Sequence, residues 1–299
     1  MQQNRNFTLQ NVKNPQRATI IKAIQKTLLY SDIFDYPLTG EQIFQYVGIK
    51  VSRKKFLAAL QHIDHTIVGK TIYYFLPKRQ YLVKKRLLRE KESRKKIARA
   101  KRVVQVLGYM PTIRFIGISG SVALLNAEKR SDTDLFFITS ANSVWITRLV
   151  VYGLLYMFGL LRRKNKKVSQ SFCVNMYIDE RSLTFSSQKR NVYIAHEIIQ
   201  VLPMVNKNHT FEKFLIANKW IAHYFPNYQL PQHMRFHKKN SSHFYLVPFE
   251  RFVRNIQLWY MDQKKTRETT TDSLIAFHPI DYENLTLQAY EQRRKTYGI

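Results

Sequence analysis

The stretch Ile118-Ser119-Gly120-Ser121, followed ten residues on by Ser131-Asp132-Thr133-Asp134-Leu135-Phe136-Phe137-Ile138, decides how this chain reads. A turn of small residues precedes two carboxylates spaced i, i+2, and an apolar run follows them. On a strand, residues two apart share a face. Asp132 and Asp134 therefore project side by side from the start of a mostly apolar strand. Adjacent like charges repel unless a positive charge lies between them, and a divalent cation such as Mg²⁺ or Mn²⁺ takes oxygen ligands of this kind together with substrate phosphates. Gly120 lets backbone approach a ligand closely, and the Ser119 and Ser121 hydroxyls with neighbouring N–H groups can donate to phosphate oxygens. The pairing points to metal and triphosphate chemistry.

At these residues the chain resembles the DNA polymerase β-like nucleotidyltransferase superfamily. That family carries a Gly-Ser or Gly-Gly turn, a spacer of about ten residues, and then Asp–hydrophobic–Asp/Glu–hydrophobic. Here the turn is Gly120-Ser121 and the acids are Asp132 and Asp134, with Thr133 departing from the hydrophobic position between them. The resemblance implies a short mixed sheet with helices packed on it. It further implies transfer of a nucleoside monophosphate from an NTP to a hydroxyl acceptor, with Mg²⁺ or Mn²⁺ held by Asp132 and Asp134. Gly120 and Ser121 would then hold the β- and γ-phosphates, beside Ser119. Arg130 would neutralise phosphate or offset the carboxylates. The family's chemistry uses a third carboxylate on the following strand. Alternation along Phe172–Asp179 puts Cys173, Asn175, Tyr177 and Asp179 on one face, so the third position is Asn175, which can ligate but cannot be a base, or Asp179 at the strand's end.

The chain has 299 residues, enough for two cores, and 45% of them are hydrophobic, which excludes a disordered chain. Lys and Arg number 49 against 20 Asp and Glu, a formal balance of +29. Such an excess favours a polyanionic partner, nucleic acid before an anionic membrane surface. The lone Cys173 excludes a disulfide framework, fits a reducing cytoplasmic compartment, and reads as a buried thiol. Leu149–Leu161 is apolar but only thirteen residues long. That is short of the roughly 20 needed to span a bilayer, so it reads as a core helix. A surface-lying helix anchored by Arg162-Arg163-Lys164 is the alternative.

The expected fold class is α+β. Residues 1–16 read as a loose polar arm. Residues 17–80 carry three short helices, with a Thr39…Gln42 capping box, and a hairpin about Gly69, the pattern of a winged helix. Its third helix would present Arg53, Lys54 and Lys55 to nucleic acid, or the module would dock protein instead. Residues 81–110 form a basic connecting helix whose middle, Arg89–Lys96, is wholly polar and so solvated or laid on a polyanion. Residues 111–190 are the nucleotidyltransferase-like α/β core, and 191–299 a helical extension. His196-Glu197 lacks the second histidine of a zinc-protease helix, and His233, His237, His243 and His278 form no ligand set. Trp220, Trp259 and Tyr260 read as helix packing. The leading function is a metal-dependent nucleotidyltransferase with a nucleic acid or other anionic acceptor. The alternatives are a DNA-binding regulator with an inactive, nucleotide-sensing domain, and a transferase acting on a protein or RNA partner.

Overall fold

Asn14 caps the first helix, its Oδ1 accepting from the N–H of Gln16 and Arg17 at 3.0 and 3.2 Å, and Pro15 supplies the preset φ of a first helical residue. The computed structural model describes residues 14–161, 171–231, 247–262, 268–270, 274–277 and 281–299. Helix α1 (Pro15–Asp32) thus starts inside what the sequence suggested was a loose arm. Strand β1 (Leu38–Thr39), helix α2 (Gly40–Tyr46) and helix α3 (Arg53–Leu60) follow. The capping box forms: Gln42 N–H donates to Thr39 Oγ1 at 3.3 Å, and Thr39 N–H donates to Gln42 Oε1 at 3.0 Å. Strands β2 (His65–Val68) and β3 (Thr71–Tyr74) pair antiparallel, and β1 joins the other edge of β3. Ile24, Leu29, Leu38, Ile43 and Phe56 fill the core these elements share.

Helix α4 (Tyr81–Gly108) leads to a second sheet. Its first parts are strand β4 (Ile113–Ser119), helix α5 (Gly120–Ala123), strand β5 (Thr133–Thr139), helix α6 (Val144–Met157) and strand β6 (Phe172–Asp179). Helix α7 (Val192–Ile199), strand β7 (Leu202–Asn206) and helices α8 (Thr210–Ala217) and α9 (Ile221–Tyr224) come next. Helix α10 (Val247–Asp262), strands β8 (Glu268–Thr270) and β9 (Leu274–Phe277) and helix α11 (Tyr282–Tyr297) complete the chain. The sheet order is β7-β4-β5-β6-β9-β8. Among the described strand pairs, β5–β6 is parallel and joined through α6 and the others are antiparallel, so the sheet is mixed and the fold is α+β.

Residues 191–299 are therefore not wholly helical. β7, β8 and β9 come from that stretch. Short strands pairing with sheet edges leave little periodic signal of their own. Helix α11 returns to the N-terminal elements, where Tyr290 and Ile299 pack on the first core.

The two faces of the larger sheet carry separate cores. Leu135 and Phe137 point toward α4 and α6, with Ile116, Val104 and Trp145. Phe136 and Ile138 point toward α7 and α8, with Phe115, Ile198 and Phe214. Asp134, two residues from Phe136, shares the α7 side. Helix α6 is not a buried core helix. Val151 and Leu155 face the core, but Leu149, Tyr152, Tyr156 and Met157 are exposed.

Candidate functional site

Strand β4 ends at Ser119, which stands opposite Asp134 in the register of β4 and β5. The chain then bends at Gly120, whose φ of +64° lies in the left-handed region. A Cβ there would sit 2.9 Å from Asp134 Oδ2. Both the backbone conformation and the close approach of the carboxylate require glycine at this position. Asp132, Asp134 and Cys173 each bring a ligand atom to within 4.8 Å of the others. Cys173 pairs with Asp134 across the parallel β5–β6 ladder and is half-buried at the site rather than a fully buried thiol. Ser119, Ser121 and Arg130 line the same cavity. Two carboxylates suit a hard divalent ion such as Mg²⁺ or Mn²⁺, whereas a thiolate suits softer ions. The donor set could hold a metal, with the two acids as its hard-ion ligands.

The loop that delivers Asp132 is held by the middle of α4. Lys96 is buried and its Nζ donates to the carbonyls of Ser131 and Lys129 at 2.7 and 3.3 Å. Burial lowers its pKa, while the Asp132 carboxylate acts in the opposite sense. Ser93 Oγ accepts from Ala127 N–H at 2.9 Å, and Arg89 bonds Asn126 at 3.2 Å and pairs with Glu128. The polar stretch Arg89–Lys96 is thus not simply solvated. One side of it is the scaffold of the acidic loop, a role hidden in the sequence because its partners lie some 35 positions away.

Asp179 is not beside the pair. It stands opposite Thr139, at the far end of β5 from Asp134. Five residues of strand separate the two, about 16 Å. The faces differ as well. Val174 pairs with Leu135 and Met176 with Phe136, leaving Asn175 as the extra residue of a β-bulge. A bulge shifts the alternation by one, so Cys173 keeps the face of Asp134 while Tyr177 and Asp179 move to the other. Tyr177 accordingly stacks on Phe137 at 4.8 Å. Asp179 is fully buried, accepting from Asn142 N–H at 2.8 Å and from Arg181 at 2.9 Å, so its carboxylate is committed to a structural turn. The expected alternation along β6 fails at Asn175.

The cavity beside the acid pair has a volume of about 620 Å³ and runs between α1, α2, α7 and the sheet. Tyr30, Phe34, Tyr36 and Tyr46 line it from the N-terminal elements, and Tyr193 and Glu197 from α7. The N-terminal wall is pinned to the loop between α5 and β5: Tyr36 Oη donates to Leu124 O at 2.6 Å and Asn126 Nδ2 to Phe34 O at 3.0 Å. His196 stacks on Tyr30 with centroids 4.2 Å apart and bonds Gln200 at 2.9 Å. Burial pushes its imidazole down to about 3 and pushes the Glu197 carboxyl up to about 7. Burial also raises the Tyr193 phenol, and the charges of Glu197 and Asp134 add to that shift. These α7 residues escape sequence reading because His196-Glu197 matches no metal motif, and only the fold turns them toward Asp134.

Glu197 makes a testable contribution to stability. Its folded pKa of about 7 lies above the ordinary 4.5. The folded state therefore binds the proton more tightly than the unfolded chain, and stability is lost as pH rises from 4.5 to 7. Glu197→Gln is expected to stabilise the protein by about 2 kcal/mol near pH 8 and to change little near pH 4.5, as read by urea unfolding at both pH values.

Arg53, Lys54 and Lys55 are exposed at the start of α3. Arg53 pairs with Glu41 at 2.6 Å and lies over the Phe44 ring, and Lys55 donates to Gln16 Oε1 at 3.1 Å. They stand apart from the acid pair and its cavity, whose described lining does not include them. Trp259 is exposed rather than packed, and Trp220 is partly buried against the α7–α8 core. His233, His237, His243 and His278 lie outside the described residues. No family model, curated protein or solved structure matches the chain.

Proposed function

We propose that the chain is a metal-dependent nucleotidyltransferase of the polymerase β-like kind, moving a nucleoside monophosphate from an NTP to a hydroxyl acceptor. The observation that carries this reading is the convergence of Asp132 and Asp134 on the Gly120 bend, with Asp134 Oδ2 in contact range of the glycine. Asp132 and Asp134 would hold Mg²⁺ or Mn²⁺. When bound, the ion neutralises the triphosphate and acidifies the acceptor hydroxyl. The Ser119 and Ser121 hydroxyls donate to phosphate oxygens, and Arg130 offsets their charge. An NTP donor suits a cytoplasmic protein.

The cavity favours a small acceptor over a nucleic-acid strand. Its described lining holds one permanent cation, Arg130, against Glu128, Asp132, Asp134 and Glu197, and most of the rest is aromatic or apolar. A polyanion is bound by a cationic groove, and the +29 of this chain is carried elsewhere. We read α1–α3 and the β1-β3-β2 sheet as a winged helix that walls this cavity, which supports docking over DNA contact.

A second reading is favoured by Cys173, a thiol rather than a third acid beside Asp132 and Asp134: a nucleotide-sensing domain without transfer. The two separate in one assay. α-Labelled NTP with Mg²⁺ and a panel of small hydroxyl compounds, RNA and DNA should yield Mg²⁺-dependent transfer to a small acceptor. Calorimetry with NTP and Mn²⁺ should show binding under either reading. Absence of binding overturns both.

A further inference from the structure

We infer that the outward faces of α6 and α10 form a docking surface for an anionic lipid bilayer. The two helices are locked together. Glu250 on α10 accepts from the N–H groups of Trp145 and Ile146 at 2.7 and 2.9 Å, capping the start of α6. Gln257 donates to Trp145 O at 2.9 Å, and Arg148 bonds Gln257 in turn. Glu250, Val253 and Gln257 form the buried stripe of α10, and Val253 shares a core with Trp145, Val151 and Leu155.

A neighbouring stripe of α10, roughly a third of a turn around from the buried one, is apolar and exposed. Phe249, Phe252, Ile256 and Trp259 recur at spacings of three and four, which is one face of a helix. Phe252 is 60% and Trp259 67% exposed. Helix α6 adds Tyr152, Tyr156 and Met157, continued by Phe158 at 69% exposure. Water-exposed apolar surface of this extent marks an interaction site. Its composition, with Trp, Tyr and Phe beside aliphatic side chains, is that of residues that settle at a headgroup boundary.

Charge selects the occupant. Arg251 is exposed on α10 itself. In sequence, Arg162-Arg163-Lys164 follows the apolar run of α6 directly, and Lys264, Lys265 and Arg267 follow α10. The whole chain carries +29. A second copy of this chain would carry the same net positive charge, whereas anionic headgroups oppose it. No described helix is long and apolar enough to cross a membrane, so the contact is lateral. Helix α6 packs on the sheet face opposite Asp134. Docking would leave the acid pair open, and the inference does not rest on the nucleotidyltransferase reading.

The test is co-sedimentation of the full chain with phosphatidylcholine vesicles, alone or with about one third phosphatidylglycerol. The chain should pellet with the anionic vesicles and stay in solution with the neutral ones. The double variant Phe252→Ser with Trp259→Ser, whose sites are exposed and so leave the core intact, should bind at least about tenfold more weakly. Its thermal midpoint, matching the parent's, checks the fold. Three results overturn the proposal: no pelleting with either vesicle, equal pelleting of the double variant, or a dimer by light scattering that the double variant abolishes while vesicles capture nothing.

Discussion

Asp134→Asn is expected to lower nucleotidyl transfer by at least about 10³-fold while leaving the protein folded. The substitution keeps the shape of the side chain beside Gly120, where a Cβ on the bend would sit 2.9 Å from Oδ2. What it removes is one negative charge from a site that has two, and with it the hold on a divalent ion. Ionic stabilisation of a transferring phosphoryl group is worth several kcal/mol, which sets the scale of the loss. Without metal the same substitution relieves repulsion between Asp132 and Asp134, so the variant should melt at or slightly above the parent's temperature. Loss of transfer with an unchanged or raised melting point assigns Asp134 to chemistry. Full transfer by the variant, in an assay where the parent is active, would sink the assignment. Cys173→Ala separates the thiol from the acids: transfer that survives it leaves the carboxylate pair as the ion's ligands.

The second large effect concerns acid. His196 is held neutral by burial among Tyr30, Tyr46 and Phe225, with its pKa near 3 against an ordinary 6.5. The unfolded chain takes up a proton at this side chain below pH 6.5 and the folded chain does not. The stability contributed by the neutral ring is thus complete above pH 6.5 and is lost as pH falls toward 3. Between pH 6.5 and 4.5 the loss should reach about 2–3 kcal/mol. Glu197 acts in the opposite direction across nearly the same window, gaining stability as pH falls from 7 to 4.5. In the parent the two adjacent residues largely cancel. His196→Phe, which keeps a ring against Tyr30, should be relatively more stable at pH 4.5 than the parent. Urea unfolding at about pH 4.5 and 7 reads the double difference. An identical pH dependence in parent and variant would show that the imidazole does not titrate against the fold. Because His196 joins α7 to α1 and α2, its protonation should also loosen the wall of the cavity.

What could be read from the chain and what could not divides by distance along it. The Gly120 bend, the i, i+2 acids and the apolar strand behind them are local patterns, and backbone preference alone arranges them: glycine for a positive φ, alternation for a shared face. The capping box at Thr39, the helices of the N-terminal module and the hairpin about Gly69 are local in the same sense. The third site position was legible only as a choice between Asn175 and Asp179, and the geometry does not bring Asp179 to the pair. One extra residue in β6, at Asn175, reverses the facing of everything after it, and no periodicity within an eight-residue strand announces a bulge.

Cys173, Lys96, His196 and Glu197 reached the site through contacts with distant residues. Cys173 arrives by parallel pairing through a crossover helix, and Lys96 by packing of a long helix on a loop about 35 residues later. His196 and Glu197 arrive because α7 covers the sheet face that carries Asp134. Their chemistry is set by burial, which a sequence does not contain: the same imidazole and carboxylate on an open helix would keep ordinary pKa values. The sequence by itself determined which atoms could grip a cation and a phosphate. Tertiary packing decided which groups stand around them and how each is charged, because desolvation is a property of the assembled interior and not of any one segment.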